Sequence, residues 1–128
     1  MADAHVGRVV GLHHVQLAMP EGKEDVAESF YSGVLGLERV TKPPHLEVRG
    51  GCWFRSPGVE FHLGVDQDFR AAKKAHPAFL VDDLAAVRAK LEAAGYEIVL
   101  DTQISGFERF YVSDPFGNRI EILAPADS

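Results

Sequence analysis

The chain has 128 residues, of which 46% are hydrophobic and 25% charged, a composition typical of one globular domain that excludes a disordered or fibrous protein. Thirteen Lys and Arg residues stand against nineteen Asp and Glu residues, giving a net charge of -6 with no basic block, so the sequence predicts no nucleic-acid partner. Its apolar stretches are shorter than the roughly 20 residues that cross a bilayer, and its single cysteine is typical of a reducing compartment. We therefore expect a cytoplasmic protein without membrane contact.

The pattern of the first half of the chain predicts a strand, a helix and three further strands. The first strand alternates, with Val15 and Leu17 on one face and His14 on the other. Apolar residues then recur at helical spacing up to a glycine suited to a helix end, and turns rich in Pro and Gly separate the later strands. The predicted elements are a strand over 12–19, a helix over 23–35 and strands over 37–41, 48–55 and 59–65.

The second half repeats this order after a linker over 66–75. Single positions also correspond: His14 maps to His76 at an offset of 62 residues, and His62 maps to Glu121 at an offset of 59. Internal duplication explains both correspondences. The predicted elements are a strand over 76–81, a helix over 83–94 and strands over 96–100, 107–113 and 119–123. We therefore predict a single α+β domain over residues 1–128, with module one at 11–65 and module two at 76–125.

Four of the matched positions carry side chains that bind transition metals. Alternation places the four on the strand face opposite the apolar row, and they are His14, His62, His76 and Glu121. Three imidazoles and a carboxylate suit Zn, Ni, Co, Mn or Fe rather than Ca or Mg. A single strand histidine is more commonly a surface or hydrogen-bonded residue, so the predicted metal site depends on the repeated placement. His13 is predicted to face the apolar side and is not a ligand candidate.

Further polar and aromatic residues are candidates for contact with a substrate. These are Arg49, Arg109, Arg119 and Trp53. A guanidinium forks onto a carboxylate or phosphate, although most arginines form surface pairs. Glu60 lies two residues before His62 on the same strand face, so it is a candidate acid or base, with a solvated surface role as the alternative.

Four segments of the sequence resemble one family. They are Leu-His-His-Val at 12–15, Phe-Tyr-Ser-Gly-Val-Leu-Gly-Leu at 30–37, His-Pro-Ala-Phe-Leu-Val-Asp at 76–82 and Asp-Pro-Phe-Gly-Asn-Arg-Ile-Glu at 114–121. Together they resemble the glyoxalase/bleomycin resistance/extradiol dioxygenase superfamily, also called vicinal oxygen chelate (VOC) proteins, over about residues 11–124. The resemblance implies two paired βαβββ modules whose curled sheets enclose a divalent metal. The implied ligands are His14, His62, His76 and Glu121.

The family mechanism implies that the metal chelates two neighbouring oxygens of a small substrate, with Glu121 and Glu60 as catalytic candidates. Glyoxalase-like lyase or isomerase, dioxygenase and transferase chemistry can all follow, because the fold alone does not choose among them. The alternative function is metal-free binding and sequestration of a small molecule, as in the bleomycin resistance members. Unpaired strand edges and a half-lined cup in each module predict a homodimer, with modules paired within one chain or swapped across a two-fold axis.

Overall fold

The structure is a computed structural model that describes residues 6–126. Its helices and strands, in chain order, are β1 (Val15–Met19), α1 (Glu24–Tyr31), β2 (Glu38–Val40), α2 (Pro44–Glu47), β3 (Cys52–Ser56), β4 (Val59–Val65), β5 (Ala78–Leu80), α3 (Leu84–Ala93), β6 (Phe107–Ser113) and β7 (Arg119–Pro125). Within residues 6–126, no helix is long and apolar enough to cross a bilayer. The predicted α+β class is confirmed.

The strands form two open sheets. The first sheet has the order β1-β4-β3-β2 and the second the order β5-β7-β6. In the first sheet, Gln16 of β1 and Trp53 of β3 lie opposite His62 of β4, on its two sides. In the second, Tyr111 of β6 lies opposite Glu121 of β7. An inner strand of each sheet, β4 or β7, therefore carries one of the predicted ligands, with an aromatic residue opposite it on the neighbouring strand.

Two predicted strands of the first half begin several residues later in the structure than the sequence predicts. β1 begins at Val15 rather than residue 12, because Leu12 is 86% exposed and has no core to pack against. The strand predicted over 48–55 begins only at Cys52, since Gly50 and Gly51 have positive φ values of 73° and 82° that a strand does not adopt. The short helix α2 precedes it, started by proline, whose fixed φ suits a first helical turn.

The strand predicted over 96–100 is reduced to a single bridge between Val99 and Tyr111. The Gln103 side chain takes the next pairing position on β6, because its amide oxygen accepts from the Arg109 main-chain N–H at 2.7 Å and its amide nitrogen donates to the Arg109 carbonyl at 3.2 Å. The Gln103 side chain thus makes, opposite Arg109, the hydrogen bonds that a longer strand would have made. The second sheet consequently has three strands, and its outer edge is covered by a loop.

Both sheets turn their apolar rows toward one core. The ring centroid of Phe61 in β4 lies 4.8 Å from that of Tyr31 and 5.3 Å from that of Phe79, so Phe61 joins the two halves of the chain. Ile120 and Ile122 of β7 are fully buried in the same cluster. Since side chains alternate along a strand, the residues between them face away from this core. The candidate ligands of the two sheets therefore lie on outer faces.

A buried polar network also ties the halves together. The Tyr31 hydroxyl donates to Asp114 Oδ2 at 2.6 Å, although the two residues are 83 positions apart. Asn118 Nδ2 donates to the Ala18 carbonyl and to Asp114 Oδ2, and Asn118 Oδ1 accepts from the Ala72 N–H. The network thus joins α1, β1, the linker and the turn between β6 and β7. Asp114 and Asn118 are 4% and 0% exposed, so these bonds are shielded from water.

Replacing Tyr31 with Phe tests the network. Burial, followed by the neighbouring Asp114 charge, raises the pKa of Tyr31 well above its ordinary value of 10.0. Tyr31→Phe removes a donor from a buried carboxylate, so we expect a loss of about 1.5–3 kcal/mol in the free energy of unfolding near neutral pH, measured by urea titration. The fold favours the neutral phenol, so wild-type stability falls as pH rises above about 10 and the difference between the proteins narrows there.

Tyr96→Phe is the matched control. The ring centroid of Tyr96 lies 4.8 Å from that of Phe30, but the Tyr96 hydroxyl makes no hydrogen bond to any residue in the part of the chain that the structure describes. We expect its loss to stay within about 0.5 kcal/mol. Equal losses in the two variants would contradict the role given to the Tyr31 hydroxyl.

Candidate functional site

The first half-site comprises His14, Trp53 and His62. The His62 ring lies between the other two: its centroid is 4.3 Å from that of Trp53 at an interplanar angle of 5°, and 4.3 Å from that of His14 at 22°. His62 is 5% exposed, whereas His14 is exposed just before β1 begins. The stack fixes the plane of His62 and leaves the outermost histidine open to solvent.

Burial sets the charge of His62. It lowers the pKa of the imidazole, the nearby His14 lowers it further, and Glu60 opposes both effects. The neutral form is therefore favoured near neutral pH, with a lone pair free to bind a cation. Glu60 Oε2 lies 3.8 Å from His62 Nε2. A hydrogen bond of 2.7 Å from Arg55 is the main cause that lowers the pKa of Glu60, so this carboxylate stays ionised.

A cavity of about 540 Å³ opens beside this stack. Its lining includes five of the predicted site residues, namely His14, Arg49, Trp53, Glu60 and His62. His13 also lines it, with Nδ1 2.9 Å from His14 Nδ1, so the prediction that His13 faces the apolar side is wrong. The physical reason is that residues 12–14 precede the strand, where alternation does not apply. Lys42, which sequence reasoning missed, completes the cationic part of the lining.

The second half-site is centred on Glu121, which is 6% exposed. His76 Nε2 lies 2.9 Å from Glu121 Oε1, and His76 Nδ1 lies 2.9 Å from the Lys74 carbonyl oxygen. A carbonyl oxygen only accepts, so Nδ1 carries the hydrogen of the neutral ring and Nε2 presents a lone pair to the carboxylate. A proton shared between these two atoms, or a cation bound to both, satisfies that contact.

Two arginines surround this pair. Arg109 Nη1 lies 3.5 Å from Glu121 Oε2 and donates to the Tyr111 hydroxyl at 2.7 Å, while Nε and Nη2 donate to the Thr102 carbonyl at 3.0 and 2.6 Å. The guanidinium of Arg119 lies 3.8 Å above the centre of the Tyr111 ring. Both side chains therefore have partners within the protein. Both arginines contact the ring of Tyr111, a residue that the sequence analysis did not select. The one signal that could have indicated Tyr111 is its position opposite Glu121 on the neighbouring strand.

The chain brings the four candidate ligands together as two separate pairs. His14 stacks on His62 in the first half-site, and His76 contacts Glu121 in the second. Within residues 6–126, no group of three or more His, Cys, Asp or Glu side chains is arranged to hold a metal ion. The outer faces of the two sheets thus each present two potential ligands.

Comparison with known proteins matches most of the chain to one family. The model of the Glyoxalase/Bleomycin resistance protein/Dioxygenase superfamily matches residues 11–122. CFP32 of Mycobacterium bovis and of Mycobacterium tuberculosis, named as a candidate glyoxylase, is 35% identical over 119 residues, covering 81% of this chain and 41% of CFP32. The chain therefore spans about two fifths of the length of these curated relatives.

Solved structures share the fold. A protein of the glyoxalase family from Bacillus anthracis is 44% identical, with 93% of this chain and 98% of that chain covered and a TM-score of 0.88. A glyoxalase/dioxygenase from Nostoc punctiforme is 20% identical, with 99% and 97% covered and a TM-score of 0.74. The fosfomycin resistance protein FosX from Listeria monocytogenes is 15% identical, with 93% and 96% covered and a TM-score of 0.72. The predicted fold is confirmed.

Arg109 is expected to stabilise the second half-site. Arg109→Gln leaves the buried Tyr111 hydroxyl and the Glu121 carboxylate without their cationic partner, so we expect a loss of about 1–3 kcal/mol in the free energy of unfolding, measured by urea titration. Hydrogen exchange in residues 101–106 should accelerate as well, because Arg109 binds the Thr102 carbonyl.

Arg88→Gln provides the comparison for this variant. Arg88 forms a surface ion pair of 3.4 Å with Glu92, one helical turn away, and such pairs contribute about 0.5 kcal/mol or less. Unchanged exchange rates in residues 101–106 of Arg109→Gln would refute the proposed anchoring of that loop.

Proposed function

The chain belongs to the Glyoxalase/Bleomycin resistance protein/Dioxygenase superfamily, and from this premise we propose that it is an enzyme that uses a divalent transition metal. The metal would be Zn, Ni, Co, Mn or Fe, and the substrate a small molecule with two neighbouring oxygen atoms. The chemistry would be of glyoxalase-like lyase or isomerase, dioxygenase or transferase type. The contact between His76 and Glu121 is the observation that carries this proposal, because an imidazole nitrogen and a carboxylate oxygen, both ligands of these metals, face each other there.

The donor atoms fit such an ion. His76 Nε2 and Glu121 Oε1 already face each other at 2.9 Å, and both atoms would hold the ion. The Lys74 carbonyl fixes the ring of His76 from behind, as is common for metal-binding histidines. His62 favours its neutral form, which is the form that ligates. The complete set would be His14, His62, His76 and Glu121.

A homodimer would unite the two pairs. Each pair lies on the outer face of its sheet, directed away from the core that the two sheets share. The edge strands β1 and β5 each pair on one side only, and Leu80 at the β5 edge is 69% exposed. We propose that the first half-site of one copy faces the second half-site of its partner, so that two equivalent sites form across a two-fold axis.

Each residue near the proposed metal has a distinct task. The bound ion would act as a Lewis acid that polarises the substrate oxygens. Glu60 would accept a proton from the substrate through Oε2; its ionised state and its position beside His62 support this role, while Arg55 holds its other oxygen. Glu121 would be a ligand through Oε1, while Arg109 Nη1 lies 3.5 Å from its other oxygen. The ring of Trp53 shields His62 from water on one side.

Metal analysis of a ligand variant tests the proposed site. His76→Ala removes one of four ligands, and we expect it to lose most of the metal that the wild-type protein retains after loading and desalting. His45→Ala is the control, because His45 is exposed in α2 and lies outside both half-sites. A wild-type protein that retains no Zn, Ni, Co, Mn or Fe would overturn the enzyme proposal and favour metal-free binding of a small molecule.

Mixing two variants that each lack one proposed ligand tests whether the site is shared between two chains. His62→Ala and His76→Ala damage different half-sites, so refolding them together at equal amounts should restore metal to about a quarter of the sites, since half of the dimers are mixed and each has one intact site. A site built within one chain would regain none. Light scattering that shows a monomer at micromolar concentration would rule out the dimer itself.

A further inference from the structure

Two cations in the cavity of the first half-site lack an acidic partner. The lining contains Lys42, Arg49 and Arg55, against the single carboxylate of Glu60. Arg55 and Glu60 pair with each other at 2.7 Å. Within residues 6–126, no carboxylate oxygen lies within 4.0 Å of the Lys42 or Arg49 nitrogens. A net positive lining in a chain of net charge -6 indicates a site for an anion.

The surroundings of Lys42 show that its burial is built into the fold. Lys42 is 7% exposed, an unusual state for lysine, and its ammonium donates to the Gly50 carbonyl. Gly51 donates its N–H to Glu24 at 2.8 Å, and a Cβ at Gly51 would lie 2.2 Å from the Leu63 carbonyl oxygen, so only glycine fits there. This turn brings the two ends of segment 42–50 together. Lys42 and Arg49, near those ends, therefore both line the cavity.

Arg49 differs from the other two predicted arginines in its contacts. The guanidinium of Arg109 binds Thr102 and Tyr111, and that of Arg119 stacks on Tyr111. Arg49 is exposed, is in no ion pair within the described part of the chain and borders the cavity. An ammonium has three donors and a guanidinium has five, so Lys42 and Arg49 retain donors that the protein does not use.

We propose that Lys42 and Arg49 form the subsite for an oxyanion of the substrate, which is therefore a small carboxylate- or phosphate-bearing molecule. The proposal rests on the proposed function only in taking this cavity as the substrate site. A volume of about 540 Å³ accommodates a small metabolite, and the same lining includes His14, His62 and Trp53. One molecule can therefore contact the cations through its anionic group and the histidines through its other atoms.

The sole tryptophan of the chain, Trp53, lines this cavity and provides the signal for a test. Chelator-treated wild-type protein is titrated with inorganic phosphate and, separately, with acetate at constant ionic strength, and binding is followed by tryptophan fluorescence and by calorimetry. We expect saturable binding of at least one anion. Tighter binding of phosphate would assign a phosphorylated substrate, and tighter binding of acetate a carboxylic acid.

Two charge-removing variants locate the binding. Lys42→Met and Arg49→Met should each lower the affinity for the preferred anion about tenfold or more, whereas Lys42→Arg should retain most of the affinity. Lys90→Met, on the exposed side of α3, should bind as wild type does. Arg49 is exposed, so its variant remains informative if Lys42→Met fails to fold.

The outcomes distinguish this subsite from the proposed function. Calorimetry that detects neither anion, or unchanged affinity in Arg49→Met, would overturn the subsite. The titrations use chelator-treated protein, so their result does not depend on a bound metal. If that protein binds an anion but the protein loaded with metal retains none after desalting, the subsite is upheld and the metal enzyme is refuted. Retained metal without anion binding would do the reverse.

Discussion

The carboxylate of Asp114 is the contact on which the arrangement of the two sheets depends. Its Oδ1 accepts from the main-chain N–H groups of Phe116 and Asn118, and its Oδ2 accepts from the Tyr31 hydroxyl and the Asn118 amide. A buried carboxylate is costly unless it is fully hydrogen-bonded, and four donors meet that need here. Two of them shape the turn before β7 and one comes from α1. The position of Glu121 in β7 is thus coupled to the first half of the chain.

One consequence is that the candidate ligands of a single chain are kept apart. Phe61 and Tyr31 pack between the sheets, and their volume holds the apolar rows of β4 and β7 against a common core. His62 and Glu121 alternate with those rows and face outward. The packing of a core shared by both modules thus keeps the two candidate pairs separate within one chain, and for this reason the proposed site combines pairs from two chains.

The two half-sites also differ in charge. In the second, acidic and basic groups satisfy one another: Glu121 contacts His76 and Arg109, and Asp101 lies 3.9 Å from Arg119. In the first, Arg55 pairs with Glu60, and Lys42 and Arg49 have no acidic partner among the described residues. A site built from both would hold its ion against the compensated half and receive an anion at the cationic half.

The sequence by itself determined the fold family and the faces of the central strands. The strands over 59–65 and 107–113 have the predicted bounds, because strong alternation and flanking turns define them locally. The same alternation identified His62 and Glu121 as outward residues. Their chemical roles, however, stay proposals, because alternation fixes a direction and says nothing of what lies opposite.

Only the tertiary structure decided which side chains have partners. Gln103 pairs with Arg109 through its side chain, Arg109 is bound by groups from its own sheet and loop, and Lys42 is buried by a turn eight residues further along. The pairing of His14 with His62, apart from His76, likewise follows from how two sheets pack on one core. The physical reason is range: periodicity records the environment of neighbouring residues, whereas a hydrogen bond or ion pair depends on atoms that the folded chain brings together from distant positions.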